Sequence, residues 1–343
     1  MFNRFPILRI PLVVFTEVVA QLDPAEIVSM SLCSKRSLNI LKSNQLKNSR
    51  NWELEMLDQD DNKPNCPRVV IFLIDKCRYL EVLSARSISD LKSQNPQFVN
   101  IGSHRVPAAF HKGLLQTYWE DRVQGLKAIT DYTSSLFSLP VSNVTIYKNS
   151  LWMFEWVSKR QTVPLKKVFW WTAFRKNEDF WDDEVFSSAM RQCSPTNKLY
   201  ILSEPSVNYR LTERLPKVNE IEISKAGWIT LDNLMSIDSI EICIDESQLS
   251  TVDITKFLKN WLAGGMPRME YIIITSKNFN ELEVFDEELQ AYVVPIEEKR
   301  KYQKNPFGFE FEFVGGYSMQ RKDGIKATIN FRNGSFHMAK WND

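Results

Sequence analysis

The chain is poor in the residues on which most catalytic and metal sites depend. Its 343 residues include only three histidines, His104, His111 and His337, and none has a cysteine or carboxylate at metal-ligand spacing. No nucleophile-elbow, P-loop or dinucleotide-binding glycine motif occurs either. The sequence therefore predicts a protein that is not an enzyme and that needs neither a metal ion nor another cofactor.

An excess of one charge and long apolar runs are also lacking. Lys and Arg number 43 against 42 for Asp and Glu, so no overall charge attracts the chain to nucleic acid or acidic membranes. The longest apolar run, residues 69–74, is far shorter than the roughly 20 residues of a membrane-spanning helix. We expect no secretory signal, because Arg9 and Glu17 bracket the short apolar stretch 10–15. Nucleic acid and membranes are therefore not expected as partners.

Cysteine is scarce and scattered. The five cysteines are odd in number and form no C-x-x-C pair; they are Cys33, Cys66, Cys77, Cys193 and Cys243. Such a set is typical of reduced thiols rather than of a disulfide framework. We therefore expect the protein in the cytoplasm or the nucleus.

The first forty residues carry the most regular pattern. Pro11 occupies the first turn of a predicted helix, where the N–H that proline lacks would have no partner. Apolar residues then recur at helical spacing: Val14, Val18 and Leu22. Asp23 and Glu26 form a predicted capping box at the start of a second helix, and Ser34 can cap a third. Three short helices cannot close a core of their own, so such a segment usually needs a partner.

Residues 10–24 and 31–36 together resemble an F-box. The first stretch runs from Ile-Pro through repeated apolar residues into a Leu-Asp-Pro corner, and the second reads Ser-Leu-Cys-Ser-Lys-Arg. Three positions depart from the usual pattern: Ile10, Val13 and Ser37 stand for leucine, an acidic residue and an aromatic. The resemblance implies docking on the Skp-type adaptor of cullin-RING ubiquitin ligases. The alternative is an ordinary helical hairpin that packs on its own domain.

The resemblance also implies which residues bind the adaptor. We expect seven apolar side chains to supply most of the surface buried on the adaptor or between the three helices: Ile10, Pro11, Val14, Val18, Leu22, Ile27 and Leu32. Full burial of one such side chain contributes about 1.5–3 kcal/mol. Replacing Ile10 and Pro11 by alanine should therefore weaken adaptor binding by about 100-fold.

Composition and periodicity divide the chain into five predicted segments. They are the F-box helices (5–43), a polar linker (44–67), a mixed α/β segment (68–140), a repeat-like α/β region (141–296) and a C-terminal β-meander (305–343). The linker could include a short helix at 52–57. Within the mixed segment we predict strands at 69–74 and 98–101 and a helix between 119 and 137.

The repeat-like region shows the apolar spacing L-x-x-L-x-L several times. The second apolar residues of the copies are Val144, Val168, Leu199, Ile221, Ile240 and Ile272. Their separations are irregular around the 20–29 residues of a leucine-rich repeat, so a regular repeat of that type is not established. A helical stripe at 254–262 and weaker ones fill the gaps, and such alternation predicts parallel strands with crossover helices. The predicted fold class is α/β, an irregular, leucine-rich-repeat-like parallel solenoid behind the three-helix F-box.

The C-terminal residues predict antiparallel β-structure. Phe309, Phe311 and Phe313 alternate with glutamates at the period of a half-buried strand. Asp323-Gly324 and Asn333-Gly334 are two-residue hairpin signals. Residues 297–304, of mixed charge, are predicted to connect this meander to the solenoid.

A second resemblance covers the later part of the chain. Residues 228–234, 257–261, 267–271 and 313–329 resemble the F-box-associated region of a large nematode F-box family. That region is taken to bind substrates, so the resemblance implies a substrate receptor of a Skp–cullin–F-box ubiquitin ligase whose protein target is unknown. The alternative is a binding or scaffold protein that engages the adaptor without recruiting a cullin.

Strand alternation predicts where the target binds. If Val168 and Trp170 point inward, Phe169 and Trp171 point to the opposite face of the sheet. The candidate target-binding residues on that face are Tyr147, Phe169, Trp171, Tyr200, Glu222 and Glu241. Aromatic anchors beside charge are typical of protein interfaces, and the glutamates favour a basic segment. The alternative is that the meander or residues 69–140 cover these aromatics as core.

Overall fold

The chain divides into two compact units in a computed structural model. Unit 1 is Met1–Leu165 and unit 2 is Lys166–Asp343. The described residues are 10–45, 51–58, 67–92, 95–171, 181–206, 208–280, 285–303 and 310–341.

Unit 1 begins with three helices at the predicted place: α1 (Leu12–Gln21), α2 (Pro24–Ser31) and α3 (Lys35–Gln45). The capping box at the start of α2 is confirmed. The Glu26 N–H donates to Asp23 Oδ1 at 2.8 Å, and the Asp23 N–H donates to Glu26 Oε2 at 2.9 Å. These bonds satisfy two backbone donors that the first turn of a helix leaves without a partner.

The other described residues of unit 1 form a sheet of seven strands and two further α-helices. The strands lie in the order β7-β1-β2-β3-β6-β5-β4; β1 with β7 and β3 with β6 are parallel, and the other neighbours are antiparallel. The elements are β1 (Trp52–Leu57), β2 (Arg68–Leu73), β3 (Arg78–Ser87), β4 (Gln97–Ile101), β5 (His104–His111), β6 (Leu114–Trp119), α4 (Arg122–Phe137), β7 (Val141–Ile146) and α5 (Trp152–Arg160). The predicted strands at 69–74 and 98–101 and the helix within 119–137 are confirmed.

Residues 52–57 are a strand, so the short helix considered there is wrong, and β1 lies inside the predicted linker. Its leucine and methionine alternate with Glu53 and Glu55, which is the period of a strand. The Asn143 side-chain amide donates to Glu53, and the Thr145 hydroxyl donates to Glu55 at 2.7 Å. Hydrogen bonds of this kind allow two carboxylates to be buried in the middle of a sheet.

The helices α2 and α3 pack on the body of unit 1. α2 lies against β3, and α3 lies against α4. The hydroxyls of Ser31 and Tyr132 are 2.7 Å apart, and the Lys42 Nζ donates to Ser135 Oγ at 2.8 Å. α2 and α3 therefore pack on the rest of unit 1.

Unit 2 contains five parallel strands joined by crossover segments. They are β8 (Lys167–Trp171), β9 (Lys198–Leu202), β10 (Glu220–Ile223), β11 (Glu241–Ser247) and β12 (Tyr271–Ser276), and the helices between them are α6 (Asp183–Gln192), α7 (Leu231–Ser236) and α8 (Thr251–Leu262). Their parallel pairing in chain order is confirmed. The first strand of the predicted repeat, β7, belongs to unit 1 and pairs with β1. A relationship to leucine-rich repeats stays a prediction.

The register of these strands corrects one predicted anchor. Val168, Leu199, Ile221 and Ile272 are buried and belong to one row across the sheet, but their partner on β11 is Ile242 and not Ile240. Ile240 precedes β11 and is only half-buried. The apolar spacing in the sequence pointed to the wrong residue because Ile240 and Ile242, two residues apart, both fit the repeat pattern. Only the backbone pairing of the strands distinguishes them.

The inner face of this sheet forms an aromatic core with α6. The Trp170 ring stacks on Trp181 at 5.5 Å, and Phe186 contacts both rings edge-on. Phe186 also meets Tyr209 and Trp228 edge-on. Such offset and edge-to-face contacts contribute beyond the area that they bury. Phe174 and Phe180, which belong to the same aromatic-rich stretch, lie outside the described residues.

The C-terminal meander continues the sheet of unit 2. A short helix α9 (Glu287–Gln290) precedes β13 (Val293–Gln303), β14 (Glu310–Gln320), β15 (Lys326–Arg332) and β16 (Ser335–Trp341), which pair antiparallel in chain order. β16 pairs antiparallel with β12. The Asn333-Gly334 hairpin is confirmed, both residues having positive φ, and Asp323-Gly324 lies in the β14–β15 turn. Residues 297–303 belong to β13 and not to a connecting segment; Lys304 and Phe309 lie outside the described residues.

Candidate functional site

The outward side of α1 exposes a small apolar surface. Phe15 and Val19 are 3% and 2% exposed and anchor the helix to unit 1. Three successive apolar residues lie on the solvent side, Leu12, Val13 and Val14, with exposed fractions of 65%, 75% and 49%. We call these three residues the α1 patch. Apolar residues grouped on a surface in this way are typical of an interaction site.

The seven predicted adaptor-binding residues differ in their exposure to solvent. Pro11 and Val14 are exposed, and four others are half-buried: Ile10, Val18, Leu22 and Leu32. Ile27 is 1% exposed, so it packs inside unit 1 and offers no surface to a partner. Sequence reasoning missed Leu12 and Val13. The available signal was the unbroken run of four apolar residues after Pro11, because a helix cannot turn so many successive side chains toward one core.

Ser37, which stands where the F-box pattern has an aromatic, is buried and hydrogen-bonded. Its N–H donates to Ser34 Oγ at 3.0 Å, and the two hydroxyls are 2.8 Å apart. Ser34 therefore caps α3 as predicted. Ser37 is 4% exposed, so this departure changes the interior and not the α1 patch.

The second candidate surface is one face of the parallel sheet in unit 2. In β8 the side chains of Val168 and Trp170 are buried, whereas Phe169 and Trp171 are half-buried. The same alternation holds in the strands that follow. We call the half-buried outward set of β8–β12 the open face; it consists of Lys167, Phe169, Trp171, Lys198, Tyr200, Leu202, Glu220, Glu222, Glu241, Cys243, Asp245, Ile273 and Thr275.

Strand register aligns the middle of the open face in one row. Phe169 pairs with Tyr200, Tyr200 with Glu222, Glu222 with Cys243, and Cys243 with Ile273. The Phe169 and Tyr200 rings stack with centroids 4.6 Å apart and planes only 4° from parallel. Side chains directly opposite on neighbouring strands are within contact distance, so the row forms one continuous surface.

The charge on this face is concentrated on β10 and β11. Glu220 forms an ion pair with Lys198, and the Tyr302 hydroxyl donates to Glu241 at 3.0 Å. Burial raises the pKa of Glu222, and the nearby carboxylate of Asp245 raises that pKa further. The negative charge of Glu222 is therefore less favourable here than in water.

At β12 and β16 the corresponding face is covered by the meander. The Tyr302 ring stacks on Tyr271 at 4.8 Å, and Phe311 stacks on His337 at 4.0 Å. The Tyr271 hydroxyl and His337 Nδ1 are hydrogen-bonded at 2.9 Å, and burial lowers the pKa of His337 to about 4. The alternative in which the meander covers this face therefore applies at β12, whereas Phe169 stays half-buried.

Five of the six predicted target-binding residues lie on this side of unit 2. They are Phe169, Trp171, Tyr200, Glu222 and Glu241, the last already hydrogen-bonded to the meander. Tyr147 follows β7 in unit 1 and does not belong to the open face. Sequence reasoning missed Asp245, although its two-residue spacing from Cys243 places it on the same side of β11.

A cavity of about 470 Å³ lies between the end of α8, α9 and the β14–β15 turn. The ionic groups at this cavity pair with one another. Lys259 contacts Asp286 at 2.7 Å and Glu288 at 2.5 Å, and Arg321 contacts Asp323 at 2.6 Å. The two Lys259 pairs connect α8 to α9, and Arg321 pairs within the β14–β15 turn, so the open face is the stronger candidate for recognition.

In the described parts of the chain, no group of three or more His, Cys, Asp or Glu side chains is arranged to hold a metal ion. Among the same residues, no helix combines the length and the apolar character needed to cross a bilayer.

Two stretches of the chain match known protein families. Residues 7–49 match the F-box domain, and residues 215–274 match the F-box associated family. No curated protein and no solved structure matches the chain. The α1 patch lies in the first matched stretch, and the β10–β12 part of the open face lies in the second.

Proposed function

We propose that this chain, which combines an F-box domain with an F-box-associated domain, is a substrate receptor of a Skp–cullin–F-box ubiquitin ligase. F-box domains bind Skp-type adaptors within cullin-RING ligases, and both domain types are typically non-catalytic. In this role the chain performs no chemistry. It holds a target close to the ligase and so raises the effective concentration of the target's lysines.

The exposure of the α1 patch is the observation that carries this proposal. Leu12 and Val13 are more than half exposed, whereas Phe15, two residues after Val13, is buried in unit 1. An adaptor that covers the patch would gain the hydrophobic free energy that the chain by itself leaves unused. Ile10, Pro11, Val18, Leu22 and Leu32 extend this surface at lower exposure.

The target is proposed to bind unit 2 at the open face. The stacked pair Phe169–Tyr200 offers a rigid aromatic area, and Trp171 lies two residues further along β8. Large aromatics bury much area at a small cost in side-chain entropy, which is why they anchor protein interfaces. The acidic groups of β10 would form the polar rim of such an interface.

Four finer features of this substrate receptor are also part of the proposal. The five parallel strands in chain order support a leucine-rich-repeat-like unit 2, and the two domain types support membership of the nematode F-box family. F-box proteins are typically intracellular, which supports a location in the cytoplasm or nucleus. The segment boundaries 5–43, 44–67, 68–140, 141–296 and 305–343 are retained as proposals.

Co-purification tests the proposed function. The full chain is expressed with a Skp-type adaptor and a cullin, and the assembly is separated by size-exclusion chromatography. A complex containing all three proteins is the expected result. A complex with the adaptor that excludes the cullin would instead establish the scaffold alternative, and failure to bind the adaptor would refute both.

A further inference from the structure

The open face of unit 2 differs in charge from the chain as a whole. The outward positions of β8–β11 carry four carboxylates, Glu220, Glu222, Glu241 and Asp245, against two ammonium groups, those of Lys167 and Lys198. The complete chain is almost neutral, with a formal charge of +1. This part of the sheet is therefore acidic because of local arrangement, and not because of overall composition.

The chain itself satisfies only some of these carboxylates. Lys198 pairs with Glu220, Tyr302 donates to Glu241, and the Thr275 hydroxyl donates to Asp245. Glu222 lies between Tyr200 and Cys243 in the row of the open face. Burial, together with the charges of Glu222 and Asp245, also raises the pKa of the Cys243 thiol to about 12, so the thiol is neutral. A cation placed here would relieve the repulsion between Glu222 and Asp245.

Aromatic side chains flank the acidic groups on one side, and the meander covers the other. Phe169 and Tyr200 stack on the β8–β9 side, whereas Ile273 on the β12 side packs against the cluster that contains Tyr302 and Phe313. Lysine and arginine match this combination, because their aliphatic stems cover apolar surface while the charged ends reach carboxylates. The ring faces also attract cations directly. An acidic segment would be repelled, and a purely apolar one would bury the carboxylates without compensation.

We infer that the open face binds a lysine- or arginine-rich segment of the target protein. The stems of the basic residues lie against the stacked Phe169 and Tyr200 rings, and the charged ends reach Glu222 and Asp245. This inference rests on the proposed substrate-receptor function and adds to it the chemical class of the target.

Peptide binding to the full chain in complex with the adaptor tests this inference. The probes are a short fluorescent peptide that alternates lysine with serine and its counterpart in which each lysine is glutamate. Fluorescence anisotropy at fixed ionic strength gives both dissociation constants. The lysine peptide should bind at least about tenfold more tightly, the effect of one strong charge-assisted contact.

Two variants locate the binding on the open face. Glu222→Gln should weaken binding of the lysine peptide by about tenfold. Glu298→Gln is the matched control, because it removes the same charge from an exposed position of β13 and should leave binding unchanged. Phe169→Ala should also weaken binding, through loss of the stacked ring.

Thermal unfolding separates loss of a contact from loss of the fold. Glu222→Gln should unfold at the same temperature as the wild type or higher, because it removes a charge that burial disfavours. If it unfolds earlier, Asp245→Asn serves as the second charge-removing variant, and the same loss of lysine-peptide affinity is expected of it.

The outcomes distinguish this inference from the proposed function. Equal binding of the two peptides, or equal affinities of Glu222→Gln and Glu298→Gln, would overturn the basic-segment inference while adaptor binding persists. A wild-type chain that does not bind the adaptor overturns the proposed function whatever the peptides do.

Discussion

Replacing Leu12 and Val13 together by serine should remove most of the exposed apolar surface of α1 and leave the core of unit 1 intact. The two residues are 65% and 75% exposed. Complete burial of such a side chain contributes about 1.5–3 kcal/mol, so the exposed part has about 1–2 kcal/mol per residue still to gain. A loss of about 2–4 kcal/mol for the pair corresponds to adaptor binding weaker by about 30- to 700-fold.

The control for this variant is Val252→Ser. Val252 is the second residue of α8, as Val13 is of α1, and it is 61% exposed. Serine is well tolerated in the first turn of a helix, so both variants should unfold close to the wild-type temperature. Isothermal titration calorimetry with the adaptor measures the effect. Wild-type affinity of the Leu12/Val13 variant, or an equal loss in the Val252 variant, would refute the assignment of the α1 patch.

Two further predictions concern the stability of unit 2. Burial lowers the pKa of His337 from 6.5 to about 4, so as the pH falls the unfolded chain binds the proton first. The free energy of unfolding of the wild type should be fully present above about pH 6.5 and fall by about 2 kcal/mol by pH 5. Urea unfolding should show a smaller fall for His337→Gln. An equal fall in the two proteins would contradict the assignment of this pH dependence to His337. Ile242→Ala should lower the free energy of unfolding by about 2–4 kcal/mol and Ile240→Ala by clearly less, because only Ile242 occupies the buried row. The reverse order would contradict the register.

The parts of the fold that sequence analysis predicted correctly depend on neighbours in the chain. The capping box joins Asp23 to Glu26, three residues away, and the Asn333-Gly334 turn needs only the tolerance of these two residues for positive φ. The alternation that separates Phe169 from Val168 follows from the geometry of any strand. Such signals are complete within a few residues and need no knowledge of distant contacts.

The parts that were missed depend on pairing between distant residues. Glu53 and Glu55 look like residues of a polar linker until Asn143 and Thr145, ninety residues later, are found beside them. The mixed charges of 297–303 likewise hide a strand that β14 completes. A local pattern cannot reveal a partner that satisfies a buried charge or extends a sheet, because that partner lies elsewhere in the chain.

The candidate surfaces, like the fold, were predicted correctly only where the signal is local in the sequence. Helical periodicity predicted an apolar side for the F-box helices, but it did not show that α2, which packs against β3, buries Ile27 or that α1 keeps Leu12 and Val13 exposed. Alternation placed Glu241 on the outward side of its strand, whereas Tyr302, sixty-one residues later, donates a hydrogen bond to it. Side-chain direction follows from the strand, and accessibility follows from what the rest of the chain covers.

The chemistry of the β12–β16 end of the sheet explains why the meander covers that end and leaves Glu222 uncovered. Tyr302 and Phe311 lie over Tyr271 and His337, which are hydrogen-bonded to each other and neutral at physiological pH, so an aromatic cover removes little hydration from them. Extending that cover over Glu222 would remove more water from this half-buried carboxylate and add no positive charge to that of Lys198, which would cost free energy. Glu241 accepts a hydrogen bond from the Tyr302 hydroxyl, but an aromatic segment without such a donor would be a poor cover for Glu222. A partner that supplies the missing positive charge is a good one, and this asymmetry is the physical basis for assigning the open face to a basic target.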